Sequence, residues 1–192
     1  MIVFSNKKAL GARIRLLVAL PAVGMLSACV TAPIPVNYAP SSVMSAKGAV
    51  TVADFKYLPP EKAPKDKPVA TNQIRNTALG EIKIDRDIKV FVRDAVFAEL
   101  RFVGLKMNEG KRILRGEIEE FLIDDLGYSV DWTLRIKYEL VDKDDQKVVY
   151  GSVKNTQRNT AKFANVFGAL NETIKLNVEE LIKDPDFIKA VN

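Results

Sequence analysis

The residue types able to carry chemistry are few in this 192-residue chain, which has no histidine and a single cysteine, Cys29. Without imidazole there can be no Ser–His–Asp triad, no Cys–His dyad and no His-ligated metal site. Ser5 and Lys8 have the spacing of a serine–lysine pair, but they lie in a leader that processing removes. No GxSxG, GxGxxG or P-loop pattern occurs. Asp142-Lys143-Asp144-Asp145-Gln146 begins like a calcium loop. Lys147 and Val153 stand where that loop needs its glycine and its bidentate glutamate, so the stretch is expected to be a hairpin turn. One set of acids remains: Glu117, Glu119, Glu120, Asp124 and Asp125. Two carboxyls held ~5–9.5 Å apart would suit glycoside hydrolysis. An acidic run on a strand and turn is more simply a solvated edge. The sequence thus predicts no catalytic residue, no metal and no cofactor other than a covalent lipid.

That lipid is expected on Cys29. Lys7, Lys8, Arg13 and Arg15 precede an eleven-residue apolar run, Leu16–Leu26, and no acid occurs among residues 1–28. The run is shorter than the ~20 residues that span a bilayer. Basic, apolar and then small residues, in that order, make a secretory signal peptide. Leu26-Ser27-Ala28-Cys29 resembles the lipobox of bacterial lipoproteins. The resemblance implies transfer of diacylglycerol to the Cys29 thiol, cleavage before Cys29 and acylation of the new amine. A thiol suits the transfer because it is the strongest side-chain nucleophile near neutral pH. Two or three chains anchor stably where one is marginal, at ~0.8 kcal/mol per buried CH₂. Val30, not Asp, follows Cys29. By the same resemblance this implies sorting to the outer membrane of a diderm host, with the domain facing the periplasm.

Processing changes the charge balance. Four of the 29 Lys and Arg lie in the signal, leaving 25 against 24 Asp and Glu. A net charge near +1 gives no basic field for nucleic acid. With Cys29 acylated, no thiol remains for a disulfide.

The remaining chain divides into an acylated Cys and flexible tether over 29–48 and one domain over 49–192. The tether is rich in proline and has no sustained period. Ala49–Phe55 alternates as a first strand. Residues 58–70 form a Pro/Lys-rich loop whose composition matches disorder. Gly80–Ile84 is a short strand, and Asp85–Val103 an amphipathic helix stopped at Gly104, with Lys89, Arg93 and Glu99 on its polar side. Ile113–Ile123 reads as a strand with a bulge near Glu119–Glu120, where parity slips. From Tyr128 to Leu140 apolar residues fall strictly on one parity, the mark of a long half-buried strand. Val148–Val153 completes a meander. Phe163–Leu181 carries a helical stripe, and Asp184-Pro185 caps a short terminal helix. The predicted fold class is α+β: a two-layer sandwich, mainly antiparallel sheet with two amphipathic helices packed on one face.

Asp85-Arg86-Asp87-Ile88-Lys89-Val90-Phe91-Val92, the Phe-Val-Gly turn after it and the ending Ile182–Asn192 resemble the YajG-type lipoprotein family over roughly residues 49–192. The topology also resembles envelope lipoprotein domains such as peptidoglycan-synthase activators and the curli secretion lipoprotein. The resemblance implies an envelope lipoprotein without catalytic residues. Two readings follow. In the first, a lipid-tethered binding or adapter module docks on an envelope protein or peptidoglycan. Its candidate surface is the acid-free connector 154–162, with Asn155, Gln157, Arg158, Asn159 and Lys162. In the second, an accessory subunit of a lipid or solute transport system uses an apolar groove lined by Phe163, Phe167 and Phe187. Trp132 shares the parity of Val130 and Leu134 and is expected in the core.

Overall fold

The period-two run folds as its alternation demands. In the computed structural model, which describes residues 32–77, 82–162 and 165–192, it forms β7 (Ser129–Asp142). Val130, Trp132, Leu134, Ile136, Tyr138 and Leu140 are buried on one face. Tyr128, expected among them, precedes the strand and is fully exposed. β6 (Arg112–Asp124) pairs antiparallel with β7 from Arg112↔Asp142 to Asp124↔Asp131, with a register shift between Ile118 and Glu120. The bulge sits where parity slips, and it lets both Ile118 and Phe121 enter the core. β8 (Val148–Ala161) pairs antiparallel with β7 over its length.

The other side of β6 is covered piecewise. β1 (Ala49–Val52), β2 (Lys56–Tyr57) and β3 (Gln73–Asn76) dock along it one after another. Each is parallel to it, at Thr51↔Ile113, Lys56↔Glu117 and Arg75↔Leu122. The prolines at 59, 60, 64 and 68 offer no backbone N–H, so one continuous strand cannot form there. β4 (Ile82–Lys83) adds antiparallel to β3, and β5 (Lys106–Met107) parallel to β1. The fold class is α+β, but the sheet is curled and mixed. The expected antiparallel sandwich describes only β6, β7 and β8. The correction has a topological cause: β1, β2 and β3 advance in one direction along the same neighbour.

Four helices complete the domain: α1 (Pro59–Lys62), α2 (Ile88–Phe102), α3 (Val166–Ile182) and α4 (Pro185–Val191). α1 and a turn at 64–67 occupy the loop expected to be disordered, and Leu58 N donates to Ile118 O at 3.0 Å, beside buried Pro59. Gly104 stops α2 with a φ of +107°, a left-handed value that glycine adopts without strain. Asn165 caps α3 by accepting from Phe167 N and Gly168 N, and Asp184 caps α4 by accepting from Asp186 N. α2 and α3 pack against each other, α3 against β7 and β8, and α2 against β1 and β2. No helix among the described residues is long and apolar enough to cross a membrane.

The segment read as a flexible tether is corrected for residues 32–48. It has no helix and no strand of its own beyond an isolated parallel bridge, Ile34↔Ile84, and a bend at Gly48 that leads into β1. It is nonetheless seated on the domain, with Val36, Ser42 and Ala46 buried. Irregular backbone satisfies its polar groups one by one, which a periodicity search does not detect. The expected signal peptide over 1–28, including Leu26, Ser27 and Ala28, and the expected acylation site Cys29 lie outside the described residues.

Candidate functional site

Three places in the domain gather polar groups that the core itself does not require. The first is Glu99, on α2. It was expected on the polar side of the helix but is 0% exposed. It lies four residues after Ala95 and three after Val96, so it continues the apolar stripe. The strap over 34–46 closes above it. Tyr38 Oη donates to one carboxylate oxygen at 2.7 Å, while Ser42 N and Ser41 N donate to the other at 2.6 and 3.3 Å. Ser42 Oγ then reaches Glu179 on α3 at 2.8 Å. Burial, together with the Glu99 hydrogen bond and charge, pushes the Tyr38 phenol far above its ordinary range. All three donors to Glu99 are uncharged, so it acts as a clasp joining strap and helix.

The second place is β8, which takes up the segment expected to be a connector. Because residues of a strand alternate in direction, the five candidate binding residues separate. Asn155, Gln157 and Asn159 are exposed on the outer face, with Val149 and Val153 partly exposed in the same row. Asn159 Nδ2 bridges to Ser129 and Asp131, each at 2.7 Å. Arg158 turns inward and donates to Ala169 O on α3 at 3.3 Å. Lys162 leaves the strand, with its Nζ 3.4 Å from Asp125. Inward, Thr156 and Lys154 O meet Asn177 of α3, whose amide also reaches Leu134 O and accepts from Tyr138 Oη at 2.9 Å. This buried network fixes α3 on the sheet. Lys154 Nζ and Tyr150 Oη both donate to Asp184, at 2.6 and 2.7 Å. Burial alone would raise the Asp184 carboxyl, but these donors and the cap outweigh it and bring it to about 2.

The third place is the β6–β7 turn. Asp125 is 3% exposed, and its Oδ1 has no hydrogen-bond partner. Lys162 lies near enough to attract it but out of hydrogen-bonding line. With Ile82, Ile123, Trp132, Val166 and Ala169 it lines a small apolar pocket of about 360 Å³, open mouth included. Trp132 is in the core as expected, its Nε1 donating to Thr160 Oγ1 at 3.2 Å.

The acidic run does not converge. Glu117 pairs with Lys56 at 2.9 Å and Glu119 with Arg135 at 2.6 Å; Glu120 lies 3.8 Å from Arg75, and Asp124 accepts from Thr77 at 2.6 Å. Each carboxylate thus meets a basic or hydroxyl neighbour of its own. The three phenylalanines proposed to line a groove are not assembled either. Phe187 is in the core beside Tyr150, with ring centroids 5.6 Å apart, Phe167 is exposed, and Phe163 lies outside the described residues. Asp142–Gln146 is the expected turn, closed by Asp144 N to Asp142 Oδ1 at 2.9 Å.

No family model matches the chain, and no curated protein matches its sequence. Solved structures do match it. Protein XCC0632 from Xanthomonas campestris, of the family model DUF330, superposes with a TM-score of 0.58 at 14% identity, covering 81% of this chain and 94% of that one. Hypothetical protein CT253 from Chlamydia trachomatis gives 0.52 at 10% identity, covering 76% and 99%. A minor lipoprotein from Acinetobacter baumannii gives 0.38 at 8% identity, covering 73% and 91%, too loose a likeness to argue from. At these identities the first two matches show the fold alone: this α+β arrangement is shared with one protein from Xanthomonas campestris and one from Chlamydia trachomatis.

Proposed function

We propose that the chain is a lipid-anchored lipoprotein of the bacterial envelope that works by binding a protein partner, without catalysis. The lipobox Leu26-Ser27-Ala28-Cys29 supports the anchor, and Val30 supports the outer membrane of a diderm host, with the domain in the periplasm. The individually paired carboxylates and the lack of histidine support a non-catalytic role. No cofactor beyond the Cys29 lipid is part of this reading.

The observation that carries the docking surface is β8. It spans 14 residues and pairs with β7 on one side; among the described residues no strand pairs with its other side. Its outward row holds valines and neutral amides, with no acid between Val148 and Lys162. An open edge of this kind accepts an extended segment as an added strand, with backbone hydrogen bonds giving affinity. Lys154 and Arg158, pointing inward, restrict indiscriminate pairing. The partner is therefore an extended segment of another envelope protein. The transport-subunit reading stands second, because Phe167 and Phe187 do not share a groove.

A photo-crosslinking residue in place of Gln157 tests this in intact cells. One partner peptide should be captured there but not from Lys89 on α2, and Asn155→Pro should abolish the capture. The same abundant proteins at both positions would refute docking at β8.

A further inference from the structure

We propose that the end of the domain formed by the β6–β7 turn and the start of α3 lies on the lipid surface, its exposed apolar side chains dipping into the headgroup region. The proposal rests on the acylated reading of Cys29. Two independent observations converge on this end.

The first is where the strap enters. Ile34 bridges Ile84, with Ile34 N donating to Lys83 O at 2.8 Å and Asp85 N to Ile34 O at 3.0 Å. The bridge is parallel, so the chain before Ile34 runs back alongside Ile82. β4 lies against β3, whose Asn76 pairs with Ile123 near the end of β6. The strap is then held along α2 by Glu99 and, further on, by Ala46 N donating to Val103 O at 2.9 Å. It cannot serve as slack while docked. Four residues separate Cys29 from Ile34, and the five steps between them reach at most ~18 Å. The acyl chains are therefore confined to the neighbourhood of the β6–β7 turn, whereas the β7–β8 turn at Asp144 sits at the other end of β6, roughly 40 Å away.

The second observation is what this end displays. Leu126 is 72% exposed, Tyr128 fully exposed, and Val166 and Phe167 nearly half exposed. Lys162 Nζ donates to Gly127 O at 3.2 Å, tying the turn to the segment that leads into α3, and Val166 and Asp125 line one pocket. The acids of the turn are engaged, Asp124 by Thr77 and Asp125 by Lys162. Large apolar side chains with a tyrosine, rimmed by a lysine, suit the membrane interface, where an aromatic ring finds both apolar and wet surroundings. A strap that only covered the core would not explain why the apolar rim lies at its point of entry.

Cys29 is the chain's only cysteine, and acylation consumes its thiol, so Tyr128→Cys and Asp144→Cys each give one site for a fluorophore. The acylated full-length protein is reconstituted in vesicles of phosphatidylethanolamine and phosphatidylglycerol carrying headgroup nitroxides. Quenching at position 128 should exceed that at 144 at least about threefold, since interfacial burial reaches only ~5–10 Å. Adding Leu126→Asp and Phe167→Asp, both at exposed sites, should reduce quenching at 128 to the level at 144. Flotation with equal quenching at both sites, or quenching that survives the two aspartates, overturns the orientation and leaves the anchor standing. Failure of the protein to float overturns the anchor, and the orientation with it.

Discussion

Glu99 and Asp125 are both acidic and both buried, yet they stand in opposite circumstances. Glu99 receives three uncharged donors, two of them main-chain amides of a segment with no regular structure. Asp125 has one oxygen without a hydrogen-bond partner and a half-exposed lysine for company. A buried carboxylate is costly unless its lone pairs are met. Glu99 therefore belongs to the architecture of the domain. Asp125 sits at the end where Leu126, Tyr128, Val166 and Phe167 face outward.

The contrast can be broken most directly at Glu99. Glu99→Ala leaves three donors facing an apolar gap and should cost about 3 kcal/mol, read by urea unfolding. Hydrogen exchange at Ser41 and Ser42 should rise in parallel. A loss below about 1 kcal/mol would show that the strap is not clasped there. Glu99→Gln keeps one acceptor oxygen but turns an amide NH₂ toward donors, so about half that cost is expected. Equal costs for the two variants would mean that packing, not hydrogen bonding, holds the strap.

Asp184 is the intermediate case, an acid met by a cation, a phenol and a main-chain amide. Its folded pKa, about 2, lies below the 3.8 ordinary for an aspartate in an unfolded chain. A depressed carboxylate stabilises the fold above the unfolded pKa, and that contribution fades as pH falls from near 4 through 2. After screening by the solvent that reaches this pair, about 1 kcal/mol is expected. Between pH 5 and 2 the wild type should lose that much more stability than Asp184→Asn. Parallel pH profiles for the two would remove Asp184 from the account.

The smallest effect is expected at Asp125. Asn in its place gives up a partly exposed ion pair but also removes a buried charge, so stability should change by less than about 0.5 kcal/mol or rise. Should Asp125→Asn prove as damaging as Glu99→Ala, the two acids are equivalent and the contrast is void.

Residue patterning announced much of the fold. The alternation over β7, the stripe of α2, the bulge beside Glu119 and the Asp184 cap follow from local periodicity and capping chemistry, and each appears in the structure. The strap and the second half of β8 were not legible in this way. Thr, Asn and Gln alternate with Lys and Arg in β8, so no apolar face marks the strand; its inner polar groups are satisfied by Asn177, Asp184 and Ala169 O from distant helices. Glu99 could have been suspected from its place on the α2 stripe, but its donors lie about sixty residues upstream. Of the proposed binding residues, Asn155, Gln157 and Asn159 share a face, while Arg158 and Lys162 do not join them.

The sequence alone supplied the resemblance to a lipobox around Cys29, the lack of histidine and the elements whose apolar residues recur at a fixed period, because each is read from the chain itself without its fold. Only the tertiary structure decided that the tether is docked, that β8 is an open edge and that the apolar rim lies where the strap enters. Those features depend on contacts between residues far apart in the chain, where hydrogen bonds replace periodicity as the organising force.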